Sequence, residues 1–343
     1  MERPALRVRR REAEALRRRL IAIDALDSGW RPRQEGEWIF FPVKPEKVEE
    51  VRALGYEVLS TVFEEKRGRP RNLREALETS LPQELLRYIP SSYDLVGDVA
   101  VLELPKELEP YAELVGEALM RLHPRVKTVA AKIGGTKGDY RLRELKTIAG
   151  SGVTETLHRE HGCIYKLDLR KAFFNPRLGG ERLRVARQVK PGERVADMFA
   201  GVGPFSILIA KLQPSAKIIA VELNPDAYNY LIENIKLNKV EDRVEPRLGD
   251  AREVLREFKE HFDRAIMDLP RRSLDFLDVG LRICRKGAVI HVYWTEDDVG
   301  RAVERVIGRV SMLGYRVSAI SARKVMEVAP RKYTIALDLV KQA

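Results

Sequence analysis

Hydrophobic and polar positions divide the chain into three stretches of different texture. Over residues 10–26, leucines at 16, 20 and 26 recur among arginines, a spacing that predicts a helix with one apolar stripe. The run Glu37-Trp-Ile-Phe-Phe-Pro42 reads as a strand. Pro45 opens a second helix that runs to Leu54, and residues 56–62 predict another strand. Helix, strand, helix and strand in so short a span predict a compact α+β module over residues 1–66. Arginines and lysines around Gly68 and Pro70 predict a basic linker over 67–72.

Residues 73–170 predict a second α+β domain. Its elements are a helix over 73–89, a turn and strand over 93–104, a helix over 107–122 and a strand over 128–133. A segment from Gly134 to Lys146, glycine-rich and then basic, precedes two further strands near 154–158 and 163–168. From 171 to 343 the pattern changes to alternation. Short apolar runs at 194–198, 218–221, 244–247, 264–267 and 288–293 are separated by helical spacing, as at 227–237. That order predicts an α/β fold, a Rossmann-like parallel sheet with crossover helices. Residues 316–321 and 333–339 predict a terminal strand pair.

Composition narrows the class. With 343 residues, 44% hydrophobic and 33% charged, the chain can form packed cores, which excludes bulk disorder. No apolar run nears the roughly 18 residues of a membrane span. The first apolar patch, 20–26, is cut by Asp24, so no signal peptide is read. The excess of 62 basic over 51 acidic residues, +11 in net charge, favours a polyanionic partner, although a solvated charged surface gives the same sum. Cys163 and Cys284 suit a reducing cytoplasm and read as small core residues. His158, His161 and Cys163 lie close in sequence but match no zinc spacing, so no metal is expected.

The candidate chemistry sits at strand ends. In Val195-Ala-Asp197-Met-Phe199-Ala-Gly201-Val-Gly203-Pro-Phe-Ser206 a strand ends in a carboxylate and a glycine turn opens a helix. Gly201 and Gly203 let the backbone approach a ligand closely. Ser206 stands where a dinucleotide fingerprint has its third glycine, and Asp197 would repel a phosphate. Both features favour a cationic ligand such as S-adenosyl-L-methionine. Glu222 ends the next strand, about 20 residues on, where a carboxylate can take both ribose hydroxyls. Asp250 and Ala251 follow the third strand, suited to an adenine amino group. Asp268-Leu-Pro270 follows the fourth, beside the expected reactive methyl.

These residues carry a resemblance. The glycine turn, Glu233-Asn-Ile-Lys-Leu-Asn-Lys-Val240, Tyr140-Arg141-Leu-Arg-Glu-Leu145 and Phe174-Asn-Pro-Arg-Leu-Gly-Gly-Glu181-Arg182 are together similar to the archaeal and eukaryotic tRNA (guanine-37, N1)-methyltransferases, over nearly the whole chain. The resemblance implies a class I methyltransferase domain over 171–343, an RNA-binding domain over 73–170 and an N-terminal module that docks on the tRNA elbow. The remaining domains would hold the anticodon loop, and the protein would be a cytoplasmic monomer with no membrane association. It makes Glu181 the general base and Arg141 the stabiliser of charge developing on guanine O6. It also places Arg182, Glu222, Leu223, Asp250 and Ala251 against the cofactor. Taken alone, Glu181 is also what a helix first turn favours, and Arg141 reads equally as a phosphate contact.

Two positions depart from the family. Asp268 replaces the usual asparagine, leaving an acceptor-only group that could compete with Glu181 as base. Phe173 and Phe174 adjoin where Tyr-Phe is common, and Phe173 suits either base stacking or a core. Two related activities therefore stay open, both wyosine-pathway reactions at the same nucleotide: aminocarboxypropyl transfer and methylation of a tricyclic carbon. A tRNA-binding protein without catalysis would have lost Asp197, Glu222 or Glu181, and all three are present.

Overall fold

The computed structural model describes residues 1–64, 70–138, 140 and 142–342, which form two compact units, Met1–Ala76 and Leu77–Ala343. Residues 65–69, the heart of the expected linker, lie outside the described residues. In the first unit β1 (Glu2–Arg9) is followed by α1 (Ala13–Ala22), β2 (Arg33–Glu35), β3 (Trp38–Pro42), α2 (Val48–Ala53) and β4 (Val58–Val62). The sheet order is β2-β3-β1-β4, antiparallel throughout. Its central strand, β1, is missing from the sequence reading, because only Ala5 and Leu6 of Glu2–Arg9 are buried among charged neighbours. Leu16 and Leu20 of α1 close over Leu6, Phe41 and Val43. The helix ends at Ala22, earlier than its leucine spacing suggests.

The helix expected over 73–89 is also a correction. It is α3 (Leu73–Leu77), a turn, and a separate 3-10 segment, Gln83–Tyr88. Pro82 forces the break, since the residue before a proline is pushed out of helical geometry. Then come β5 (Asp94–Val96), β6 (Val99–Glu103), α4 (Ala112–Leu122), β7 (Thr128–Lys137) and β8 (Leu142–Gly150), a sheet in the order β5-β6-β7-β8. The glycine-rich start of the basic segment, 134–137, thus ends β7, and its basic end, 142–146, begins the antiparallel β8. A further hairpin, β9 (Glu155–Glu160) and β10 (Cys163–Asp168), buries Cys163, Tyr165 and Leu167 on one face.

The remaining elements are α5 (Gly179–Gln188), β11 (Arg194–Asp197), α6 (Pro204–Leu212), β12 (Lys217–Glu222), α7 (Pro225–Asn238), β13 (Val244–Leu248), α8 (Ala251–Val254), β14 (Phe262–Met267), α9 (Leu277–Ile283), β15 (Cys284–Glu296), α10 (Val299–Met312), β16 (Val317–Ala329) and β17 (Lys332–Lys341). They build a sheet in the order β13-β12-β11-β14-β15-β17-β16, parallel except that β17 runs antiparallel to both its neighbours. The chain moves outward from β11 to β13 and returns to β14 on the other side. The gap between the carboxyl ends of β11 and β14 is therefore the switch point where such sheets bind ligands.

One core runs from β6 and β7 through Tyr165 and Leu167 to α6 and α7. Side-chain amides lock the hairpin onto it. Asn234 of α7 accepts from Lys166 N–H at 2.6 Å and donates to the carbonyls of Lys166 and Val202, both at 3.0 Å. One turn later Asn238 accepts from Ile164 N–H at 3.0 Å and donates to its carbonyl at 2.6 Å. Spaced four apart, the two amides satisfy the free edge of β10 as a neighbouring strand would. Replacing Asn234 with alanine strands buried backbone groups at about 1–3 kcal/mol each. A chemical-denaturation series on Asn234→Ala is expected to show a loss of about 2–5 kcal/mol, and a loss under 1 kcal/mol would refute that role for the amide.

Candidate functional site

The turn after β11 is held by carboxylates. Asp197 is only 1% exposed; its Oδ2 accepts from Ser206 Oγ at 2.6 Å, and its Oδ1 has no hydrogen-bond partner. Gly201 and Gly203 have φ of 55° and 90°, and a side chain on Gly203 would come within 2.6 Å of Leu231. Glu222, ending β12, accepts from Gly201 N–H at 2.7 Å and from Asn224 N–H at 2.8 Å, so it clamps the glycine turn from the neighbouring strand. Burial raises the pKa of Glu222 above its ordinary value, against the pull of those N–H groups. Burial acts more strongly on Asp197. The Ser206 hydroxyl opposes it, the charges of Asp268 and Glu222 add to it, and the carboxyl is pushed up from 3.8 to about 7. The position read only as a missing glycine, Ser206, therefore serves the carboxylate.

Beside this turn lies a cavity of about 280 Å³ lined by Phe199, Leu223, Asp250, Ala251, Leu269 and Phe276, among others. Phe199 meets Phe276 edge to face at 4.9 Å. Asp250 caps α8 through Arg252 N–H at 2.8 Å and pairs with the Arg252 guanidinium at 2.6 Å, which holds its pKa below the ordinary value. An apolar slot with one carboxylate, Asp250, among Arg252, Arg271 and Arg272 at its rim suits a flat heterocycle whose amino group meets that carboxylate. A second cavity, of about 710 Å³, is lined by Tyr93, Lys132, Phe173, Arg177, Asp268 and Pro270, among others. Leu269 faces the smaller cavity while Asp268 and Pro270 face the larger, and Arg271 borders both. The loop after β14 is thus a common wall.

Other predicted residues fall differently. Glu181, in the first turn of α5, is 8% exposed and lines neither cavity. Its Oε1 accepts from Tyr293 Oη at 2.8 Å, Arg184 Nη2 at 2.8 Å and Arg323 Nη2 at 2.7 Å, and its Oε2 accepts from Arg184 Nε at 3.0 Å. Burial pushes this carboxyl up, but the bonds from Arg184, Tyr293 and Arg323 outweigh it and hold it below the ordinary value. Arg182 turns to Glu160 at 2.9 Å and the Asn175 carbonyl at 2.8 Å, with its guanidinium 4.6 Å from the Phe174 ring centre. It ties α5 to the β9–β10 hairpin. Phe174 is core and Phe173 faces the large cavity, so the adjacent pair divides the two readings between them. Arg141 lies outside the described residues.

The donor set fits a nucleoside-bearing cation. An orphaned buried carboxylate oxygen, a glycine cradle that a side chain would fill and an apolar slot converge at the switch point. With antiparallel β17 inserted beside β15, strand order and site define a class I methyltransferase fold. The model of the TRM5/TYW2 methyltransferase domain matches residues 156–318, that of the TYW2 N-terminal domain 73–154, and that of the tRNA methyltransferase 5 N-terminal domain 5–51. The tRNA (guanine(37)-N(1))-methyltransferase Trm5b of Pyrococcus abyssi is 43% identical over 97% of this chain and 98% of its own length. The solved complex of aTrm5 and tRNALeu matches with a TM-score of 0.79 at 33% identity, over 99% of both chains. The tRNA(Phe) (4-demethylwyosine(37)-C(7)) aminocarboxypropyltransferase of Pyrococcus horikoshii is 38% identical over 78% of this chain and 95% of its own. The chain belongs to the TRM5/TYW2 family of methyltransferases. No described helix is long and apolar enough to cross a membrane.

Asp197 gives the site a measurable cost. Because its folded pKa is raised from 3.8 to about 7, the folded state binds the proton more tightly than the unfolded state, and stability falls as pH rises through that window. Asp197→Asn removes the penalty. At pH 8 it is expected to stabilise the ligand-free protein by up to about 4 kcal/mol, the gain vanishing near pH 3. Thermal melts across that range check it, and a variant no more stable than the parent at pH 8 would contradict it.

Proposed function

We propose that this protein transfers the methyl group of S-adenosylmethionine to N1 of guanine-37 in tRNA. The observation that carries this reading is the common wall, with a heterocycle-sized slot on one side and, on the other, a large cavity where Lys132, Arg177 and Arg271 stand among carboxylates. The match of residues 5–51 to the tRNA methyltransferase 5 N-terminal domain supports the choice of base. The cofactor supplies an electrophilic methyl on a positively charged sulfur that departs as a neutral thioether.

The chain's own part is to hold, orient and deprotonate. Asp197 receives the cofactor's amino group, which satisfies its orphaned oxygen. Glu222 spends two of about four acceptor sites on backbone N–H groups and offers the others to the ribose hydroxyls. Asp250 accepts from the adenine amino group, and Phe199, Leu223, Ala251 and Phe276 enclose the ring. Guanine N1 becomes a nucleophile only as its proton leaves. Glu181 accepts that proton while the N1–carbon bond forms, and Arg141 offsets the charge growing on O6. Asp268 accepts from the guanine amino group or N1–H. The N-terminal unit, where Arg3 lies over Trp30 and Arg7 over Trp38, docks the tRNA elbow as part of a cytoplasmic monomer, while the rest of the chain holds the anticodon loop.

A second reading is favoured by the carboxylate of Asp268 on the wall where the family usually has an amide, and by the match of residues 73–154 to the TYW2 N-terminal domain. It is transfer to a wyosine-type base at the same nucleotide, of methyl or of the aminocarboxypropyl group. Labelled cofactor with two unmodified transcripts, guanine or adenine at 37, separates the readings. The proposal expects 1-methylguanosine from the guanine transcript alone, and Glu181→Gln is expected to slow it about 100-fold or more with cofactor affinity kept. No transfer to either transcript with cofactor still bound, and label entering a tRNA that already carries the tricyclic base, would move the assignment to the second reading.

A further inference from the structure

Glu181 does not meet its arginines one to one. Arg184 turns one edge of its guanidinium to Glu181 and the other to Asp338 of β17, with Nη1–Oδ2 at 2.7 Å and Nη2–Oδ1 at 3.0 Å. Arg323 of β16 repeats the pattern, Nη2 to Glu181 at 2.7 Å and Nη1 to Asp338 at 3.4 Å. Two carboxylates and two guanidiniums therefore form one closed cluster, assembled from α5, β16 and β17.

Asp338 is fixed from behind. It is 1% exposed and takes a 2.6 Å bond from His291 Nδ1. His291 Nε2 lies 2.7 Å from Arg264 Nη1, and an arginine can only donate. The imidazole is therefore neutral, with its proton on Nδ1 aimed at Asp338. Arg264 is matched by Glu193 at 2.9 Å. Tyr293 donates to Glu181, and its hydroxyl also feels the charges of Asp268, after β14, and of Arg184. Among the described residues, these groups, from α5, β14, β15, β16 and β17, are the ionisable surroundings of Glu181.

We propose that Asp338 is a positioning residue for the proton-accepting carboxylate: by holding one edge of both Arg184 and Arg323, it sets how tightly they grip Glu181 and so how readily Glu181 takes a proton. The inference rests on Glu181 being the acceptor. Without the charge of Asp338, two cations would face one carboxylate, and Glu181 would become a weaker base. Without Arg323, two carboxylates would share one cation, and Glu181 would become a stronger one. Arg323 is the exchangeable member, on an edge strand with 28% of its side chain exposed, whereas only 2% of the Asp338 side chain is exposed.

The opposite signs make the test. Single-turnover methyl transfer to saturating tRNA transcript is followed against pH for the full-length protein and its variants. Asp338→Asn is expected to move the acid limb down by about one pH unit and slow the plateau several-fold; Arg323→Gln should move the limb up by about one unit, and Asp338→Glu should stay near the parent. Limbs that stay put, or that move together, overturn the inference. If Asp338→Asn fails to fold, judged by its melt and cofactor binding, the smaller neutral variant Asp338→Ser, expected to move the limb down in the same way, decides in its place, since Arg323 touches Glu181 directly. Full activity in Glu181→Gln removes the underlying reading, and the inference with it. An inactive Glu181→Gln with unmoved limbs removes only the role of Asp338.

Discussion

The functional end of the sheet is organised around a buried negative charge that the fold leaves uncompensated. Asp197, Glu222, Asp250 and Asp268 end or follow four successive parallel strands, and Asp197 is the most deeply buried of them. A carboxylate in that setting is tolerated only if it stays protonated or acquires a cation. The Ser206 hydroxyl holds Oδ2 and the Phe199 N–H pulls in the same direction, yet Oδ1 has no close partner and the carboxyl stays raised. The local conformation then follows. The glycine turn can pass over the strand end because Gly201 and Gly203 accept positive φ, and Glu222 holds that turn by its amide.

A second set of carboxylates, at the start of α5 and in the middle of β17, is treated the opposite way. Glu181 and Asp338 are saturated by Arg184 and Arg323, and the cluster is extended by His291 and Arg264. One site is thus poised to receive positive charge, and the other is neutral overall. Asp268 stands between these environments, since its charge bears on both Asp197 and Tyr293. On the proposed reading, this arrangement would separate ligand capture from proton transfer, because a cation arriving at Asp197 would not have to break the bonds that orient Glu181.

Much of this was legible along the chain, for identifiable reasons. Four of the five parallel strands, β11, β12, β14 and β15, carry short apolar runs buried on both faces, each ending near a carboxylate, whereas β13 buries only Val244 and is marked mainly by the Gly249-Asp250 that follows it. The strand β1 hides its two buried residues among charges, and β8 is basic and follows glycines, so neither carries a strand signature. Asn234 and Asn238 are visible as a motif, but their bonds to β10 exist only in three dimensions. The partners of Glu181 are beyond sequence reasoning altogether. Arg323 and Asp338 are more than 140 residues away, and no spacing rule links them to it. Arg182 shows the converse, a position next to a catalytic candidate whose side chain turns to the hairpin instead.

The central claim, that a cation completes the buried carboxylate of Asp197, can be read as a proton count. Calorimetric titration of S-adenosylmethionine in buffers of different ionisation enthalpy measures the protons released on binding. Near pH 6 the free protein holds Asp197 mostly protonated, since its carboxyl is pushed up to about 7, while an ammonium partner requires it ionised. The account predicts release of about one proton per cofactor there, absent from Asp197→Asn. Binding near pH 6 with no proton released would contradict it.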